Sequence, residues 1–258
     1  MARRDDNARA RLERDLAELR LSEIARCYRE VLDEAARNGN SMLDVLAVLF
    51  GLEQTAREQH ALQRRLRNAR LPKQKTLAEY DFNFPKRIPK AAILRLFDCD
   101  FILRHGCAVL IGPTGSGKSH LLTALGYTAA ERGYSVRHVR AVDMINHLTT
   151  AQLNGLLGKA LKTYVRPSLL LLDELGYLPI DKRGADLLFQ VIAARYESGS
   201  IVLTTNRPFR EWGALFDVDN TLATALIDRL MHHGEAIVIQ GTSYRMRDKD
   251  SDPDPTSA

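Results

Sequence analysis

The sequence predicts an α/β protein, a five-stranded parallel sheet with helices on both faces, preceded by a small all-α domain. Three observations predict it. From about residue 89 onward, five short apolar runs, "CAVLIG", "YSVRHVRA", "SLLLLDE", "SIVLTTN" and "EAIVIQG", alternate with helical segments. Buried runs alternating with helices are the pattern of a parallel sheet covered on both sides. Residues 1–71 instead place apolar groups three and four apart, which is helical spacing. Between the first apolar run and the helix after it lies "GPTGSGKS", three glycines and a lysine in eight residues.

Taken in chain order, Leu21, Ile24, Tyr28, Val31, Leu32 and Ala35 make one stripe on a helix within residues 12–36. "NGNS" breaks that helix, and Ser41 with Asp44 has the spacing of a capping box that starts the next. "MLDVLAVLFGLEQTAREQHALQRRLRNAR" continues helical, apolar first and basic at its end, and closes the helical domain at residue 71. Residues 72–88 read as a proline-punctuated linker whose Tyr80, Phe82 and Phe84 are expected to dock on the next domain. The α/β domain spans 89–247. The polar, proline-bearing stretch 248–258 reads as a disordered tail.

With 258 residues, 45% of them hydrophobic, the chain is long enough for one sizeable core and a smaller domain. No apolar run approaches the roughly 18 residues that span a bilayer. The first residues lack the apolar segment of a signal peptide. Cys27, Cys99 and Cys107 fall at no disulfide or metal spacing, so a reducing cytoplasm is the expected location. The net charge of +5 is uneven: residues 1–90 hold 19 Lys and Arg against 14 Asp and Glu, and the remainder balances. Within that part Arg64, Arg65, Arg67, Arg70, Lys73 and Lys75 follow one another with no acid between them. Such a run fits a polyanion, with a solvated helix face as the plainer alternative.

Gly112, Pro113, Thr114, Gly115, Ser116, Gly117, Lys118 and Ser119 match the phosphate-binding loop G-x-x-x-x-G-K-[ST] at every fixed position. Its glycines let backbone N–H groups converge on phosphate oxygens. Lys118 is expected to reach the β- and γ-phosphates and the Ser119 hydroxyl to bind Mg²⁺, beside the positive end of the following helix. "SLLLLDE" then ends a strand in two carboxylates. Asp173 is placed to hold Mg²⁺ and Glu174 to polarise an attacking water, which points to hydrolysis and not to holding alone. Simple polar punctuation of a strand is the competing reading of the pair. Asn206, closing the next strand, is a candidate γ-phosphate sensor because strand ends gather at one crevice in such sheets. No N-K-x-D or T-K-x-D guanine-reading motif is present, so adenine, and hence ATP, is the expected nucleotide.

Arg229 lies on the helix before the last strand and is a candidate for the arginine that a neighbouring subunit lends to such sites, with a salt bridge to Asp228 as the alternative. His232 and His233, as helix neighbours, are expected to point apart and read as ordinary polar residues. "QLNGLLGKALKTYVR" reads as an amphipathic helix with Lys159, Lys162 and Arg166 opposite Leu153, Leu156, Leu157 and Leu161, a second candidate phosphate track.

Taken in order, "GPTGSGKSHLLTALG", "LLLLDELGYLPID", "LLFQVIAARYESGSIVLTTN", "FREWG", "TALIDRL" and "IVIQGTSYR" resemble the IstB-type helper ATPases of bacterial insertion sequences, AAA+ proteins related to DnaC helicase loaders and the DnaA initiator. The resemblance runs from about Leu16 to Arg247. It implies an AAA+ core carrying a helical N-terminal domain, ATP-dependent self-assembly around duplex DNA, and recruitment of a transposase from the same element. It further implies that Arg229 is similar to an arginine finger at a subunit interface. Ser119 stands where the family commonly has Thr, and the hydroxyl is kept. The segment "TLAEYDFNFPKRIPKAAILRL" is richer in Lys and Pro than the family pattern. The chain ends too soon after the last strand for the helical lid of most AAA+ proteins, so no C-terminal lid is expected. A DnaC-like replicative helicase loader would share the core and is the alternative. A scaffold that folds around ATP without hydrolysing it is opposed by Glu174, and a small-molecule kinase by the missing acceptor segment.

Overall fold

The computed structural model describes residues 2–84, 87–216 and 220–241; the tail expected at 248–258 and the end of "GTSYR" lie outside them. Contacts divide the chain into two compact units, Met1–Arg64 and Arg65–Ala258.

The first unit holds α1 (Ala2–Glu18), α2 (Ser22–Asn38) and most of α3 (Met42–Ala69). The expected stripe lies on one helix, α2, with Leu21 at its N-cap, while residues 12–18 belong to α1. Arg20 takes the left-handed conformation (φ 54°), and the Leu21 N–H reaches back to the Leu16 carbonyl at 2.9 Å, which closes α1. Ile24, Cys27, Tyr28 and Ala35 of α2 then bury against Leu16, Val45 and Leu49, while Leu32 stays exposed. Ser41 and Asp44 form the capping box: the Ser41 N–H donates to Asp44 Oδ2 at 3.1 Å and the Asp44 N–H to Ser41 Oγ at 3.2 Å. A second cap comes from further along the chain. The buried Glu53 carboxylate accepts the Glu23 and Ile24 N–H groups that open α2, at 2.8 and 3.2 Å, with Arg57 at 2.8 Å behind it.

The second unit contains α4 (Lys90–Phe97), α5 (Asp100–Leu103), β1 (Cys107–Ile111), α6 (Lys118–Glu131), β2 (Val136–Arg140), α7 (Ala141–Leu153), α8 (Leu157–Val165) and β3 (Leu169–Leu175). It continues with α9 (Lys182–Arg195), β4 (Ser200–Thr205), α10 (Trp212–Leu215), α11 (Asn220–His232) and β5 (Gly234–Val238). The five strands form one parallel sheet, as the sequence predicts, and their order is β2-β3-β4-β1-β5. β3 and β4 are buried along nearly their whole length because both faces are covered, and their polar residues include the C-terminal Asp173, Glu174, Thr204 and Thr205. No helix of the described residues is long and apolar enough to cross a membrane.

The basic segment 152–166 departs from its expected single helix. Gly155 is left-handed (φ 70°), so α7 stops at Leu153 and α8 starts at Leu157. Leu153 and Leu156 are exposed, and the buried side of α8 is Ala160 and Tyr164.

A buried cation fixes the starts of the central strands. Arg195, 1% exposed, donates from Nη1 to the carbonyls of Tyr164 (2.8 Å), Val165 (3.0 Å) and Pro167 (2.8 Å), and from Nη2 to those of Ser168 (3.1 Å) and Ser200 (2.6 Å). Burial pushes its pKa down to about 10, so the guanidinium stays charged near neutrality. Arg195→Met keeps the apolar stem and removes five hydrogen bonds to backbone carbonyls, those to Tyr164 and Ser200 being buried. It should cost about 3 kcal/mol or more, read as a lowered melting temperature of the full chain.

Candidate functional site

The phosphate-binding loop connects β1 to α6, as its mechanism requires. Gly112 sits so close to the chain after β5 that a Cβ there would lie 2.6 Å from the Ile239 carbonyl oxygen. Gly117 opens α6 with φ 85°, and a Cβ there would meet the Tyr80 ring at 2.6 Å. Of the linker aromatics, Tyr80 therefore docks on the loop. Tyr80 is buried, its hydroxyl donates to the Ser116 carbonyl at 3.3 Å, and Phe82 meets its ring edge-on at 5.0 Å between centroids. Burial pushes the Tyr80 hydroxyl up to about 12. The linker is held along α6 as well: His120 Nε2 lies 2.8 Å from the Thr76 carbonyl, and the Tyr127 hydroxyl donates to Pro72 at 3.0 Å.

Lys118 is 5% exposed and donates from Nζ to the carbonyls of Gly112 (2.7 Å) and Pro113 (2.8 Å). Burial lowers its pKa to about 8, against the opposing pull of Asp173 and Glu174. The next residue brings the loop to β3: Ser119 Oγ donates to Asp173 Oδ1 at 3.0 Å. The same oxygen accepts the Thr204 hydroxyl of β4 and, at 3.1 Å, the Glu174 N–H. Burial pushes the Asp173 carboxyl up, but His138 and the Thr204 and Ser119 hydroxyls outweigh it and hold the pKa below the ordinary value. Asp173 is thus ionised at neutral pH.

Glu174 follows with a left-handed backbone (φ 61°), at the point where the β3–β4 register shifts between Leu172 and Leu175. Its N–H also donates to Thr204 Oγ1 at 2.9 Å. A non-glycine residue held there stores about 1–3 kcal/mol, a strain that recurs at reacting positions. Asn206 Oδ1 is buried with no hydrogen-bond partner among the described residues.

These observations fit a nucleotide and its metal. Glycines that admit no Cβ and a buried lysine suit phosphate, and the orphaned Asn206 amide oxygen is an acceptor for a donor such as water. A hydroxyl and a carboxylate oxygen in contact are the hard donors that Mg²⁺ takes.

Arg229 is half-buried, its guanidinium 4.6 Å over the Phe189 ring and its Nη1 3.2 Å from its own helix's Ala225 carbonyl. No ion pair to Asp228 forms. It shares a small pocket with Cys107 and Ile201, at the starts of β1 and β4, whereas the phosphate-binding loop follows the end of β1. His232 and His233 do not point apart. α11 ends at His232, which frees the next residue from helical geometry, and the two rings lie 4.3 Å apart. Tyr196 stacks on both; its hydroxyl lies 2.6 Å from His232 Nδ1, while Glu197 lies 3.6 Å from His233 Nε2.

The candidate phosphate contacts Arg64, Arg67, Arg70, Lys73, Lys75, Lys159, Lys162 and Arg166 are exposed. Arg65 is half-buried and donates from Nε to the Ala130 carbonyl at 2.8 Å. Sequence reasoning did not single out Thr204 or His138. Thr204 carries a visible signal, a hydroxyl one strand over at the register of the carboxylates. His138, buried with Nε2 3.9 Å from Asp173 Oδ2, carries none, because its position depends on β2 pairing with β3.

The family model described as IstB-like ATP binding protein matches residues 14–252. A protein of Bacillus thuringiensis subsp. berliner, named as an ATP-binding protein of insertion sequence IS232, is 36% identical over 242 residues, 94% of this chain and 96% of its own. The corresponding IS21 protein of Pseudomonas aeruginosa is 36% identical over 234 residues, 91% of this chain and 88% of its own. Among solved structures, AMPPCP-bound DnaA from Aquifex aeolicus superposes with a TM-score of 0.54 at 23% identity, over 66% of this chain and 50% of that one, a likeness of fold. With its phosphate loop, its acidic strand end and this match along nearly its whole length, the chain belongs to the IstB-like ATP-binding protein family.

Proposed function

We propose that this chain is an ATPase that assembles on duplex DNA when it holds ATP, engages the transposase of the same insertion sequence, and ends that state by hydrolysis. The observation that carries the reading is the junction at Asp173, where the loop serine, the β4 threonine and the Glu174 amide meet on one carboxylate oxygen. Full-length relatives from insertion sequences, at 36% identity, favour this role over a helicase loader, for which the likeness is one of fold.

Within the site, the loop amides and Lys118 bind and orient the phosphates. Ser119 and Asp173 hold Mg²⁺, which when bound neutralises charge on the β- and γ-phosphate oxygens. Glu174, fixed by the hydrogen bonds of its own N–H, draws a proton from the attacking water, and Asn206 orients that water or the γ-phosphate. Arg229 cannot serve its own loop, because the length of β1, about 13 Å at the usual rise per residue, separates them. It therefore acts across an interface with a second copy, and the working form is a homo-oligomer in the cytoplasm.

Lys118→Ala should abolish nucleotide binding and leave the fold intact, since burial already disfavours the charge in the free chain. Equal ATP affinity in the two proteins, by calorimetry, overturns the assignment. In the wild type, ATP affinity should fall as pH rises through about 8. Above that value Lys118 is neutral, and binding must take up a proton, visible as a dependence of binding heat on buffer.

Glu174→Gln should bind ATP normally and hydrolyse it about 100-fold or more slowly, because general-base assistance is lost while Asp173 is kept. Phosphate release, with and without DNA, reads this; unchanged turnover would make Glu174 strand punctuation.

Arg229→Ala should be inactive alone and partly rescued by Lys118→Ala subunits, since a mixed interface pairs an intact loop with an intact arginine. If the two variants co-assemble without any rescue, the arginine does not act in trans.

A further inference from the structure

The two basic segments, the end of α3 and α8, meet at one place. A cleft of about 620 Å³ is lined by Arg70 and Pro72 on one side, by Thr163 and Tyr164 of α8 on another, and by Arg137 and Arg140 of the edge strand β2. Exposed Lys73 follows Pro72 in the chain, and exposed Lys162 precedes Thr163.

Its charge is uncompensated. The lining carboxylate, Asp143, is taken by Arg140, whose Nε and Nη2 donate to it at 2.7 and 3.1 Å. Arg137 has no such partner. Its guanidinium lies 5.9 Å from the Tyr164 ring centroid, Nη1 makes a long contact of 3.4 Å to the Asn68 carbonyl, and Nε is buried with no hydrogen-bond partner among the described residues. Burial lowers the Arg137 pKa, and the nearby Arg70 charge lowers it further. A half-buried arginine near a second cation, supported by the Tyr164 hydroxyl but with an unused donor and no carboxylate partner among the described residues, suits an anion.

We propose that this cleft seats the sugar–phosphate backbone of duplex DNA, with Arg137 as a phosphate contact at its floor and Arg70 beside it. Planar guanidinium groups match phosphate oxygens two at a time, and flanking lysines extend the track without reading sequence. The proposal rests on the DNA-binding reading above. It makes the two basic segments one surface, whereas the sequence presents them as separate candidates.

The test is fluorescence anisotropy of the full chain, with ATP and Mg²⁺, on a random-sequence duplex over a salt series. Arg137→Gln should weaken binding about tenfold at low salt and flatten the log–log slope by about 0.9, one phosphate contact. Arg137→Lys should keep the slope and lose part of the affinity, since the charge survives and the paired donors do not. Arg104→Gln, at an exposed arginine before β1, is the control and should change little. Should Arg137→Gln melt early, exposed Arg70→Gln reads the same cleft and should flatten the slope by a similar amount.

If Arg137→Gln and Arg70→Gln follow the control while the wild type binds steeply, the cleft is not the DNA seat and the proposal falls alone. If those variants keep the DNA curve but lose affinity for polyglutamate, the cleft takes an acidic protein partner, and the proposal is again wrong. A wild type with no salt-dependent duplex affinity removes the DNA-binding reading itself, and the proposal with it.

Discussion

One carboxylate oxygen organises the centre of this molecule. Asp173 Oδ1 accepts from Ser119 at the start of α6, Thr204 on β4 and the amide of Glu174 on its own strand. Three segments far apart in sequence are thereby locked to one point, 6% exposed, where every added hydrogen bond favours the ionised form over the burial that opposes it. The left-handed backbone at Glu174 follows from the same lock. Its N–H is held by Asp173 and Thr204 while the strand slips register, and the side chain is turned away from the regular strand path. The strain is stored where a water-activating group is wanted, and paired neighbours hold it there.

The opposite end of the sheet is built on a different principle. Arg195 has no carboxylate partner and satisfies five backbone carbonyls, tying the segments that enter β3 and β4. A cation that binds only backbone dipoles is rigid without being available. Arg229, near it, is the reverse: its guanidinium rests on the face of Phe189 and its one described hydrogen bond is to its own helix. An arginine left over an aromatic face keeps most of its donors for another acceptor.

Much of this was legible in the sequence because the signals are local. The phosphate loop, the acidic end of β3 and the five apolar runs are each carried by fewer than a dozen consecutive residues, and the strand count and the parallel sheet follow from them. The capping box of α3 was legible for the same reason. What was hidden depends on a single backbone angle or on tertiary pairing. Gly155, left-handed, divides a stretch whose apolar spacing reads as continuous, and Arg20, also left-handed, follows the end of α1 inside the span 12–36. The histidine pair meets because α11 stops between its members. Thr204, His138 and Tyr80 become part of the site only when β4, β2 and the linker are laid against the loop, and residue type alone does not announce that. Arg137 is the extreme case: in "YSVRHVRA" it is an ordinary strand polar residue, and only the packing of Tyr164 and Asn68 around it makes its charge conspicuous.

β2 then acquires a meaning that neither of its neighbouring residues has alone. It is an edge strand, paired on one side to β3 and free of a strand on the other. Arg137 and His138 are successive on it, and both line the basic cleft. Arg137 carries the uncompensated charge of the basic cleft, while the His138 ring stands 3.9 Å from the second oxygen of Asp173. A polyanion seated there, as proposed, would bear on the strand that carries a neighbour of Asp173. Coupling of this kind needs no relay of side chains across the core. It follows from placing an arginine of the proposed DNA seat and a histidine beside Asp173 on the same edge strand.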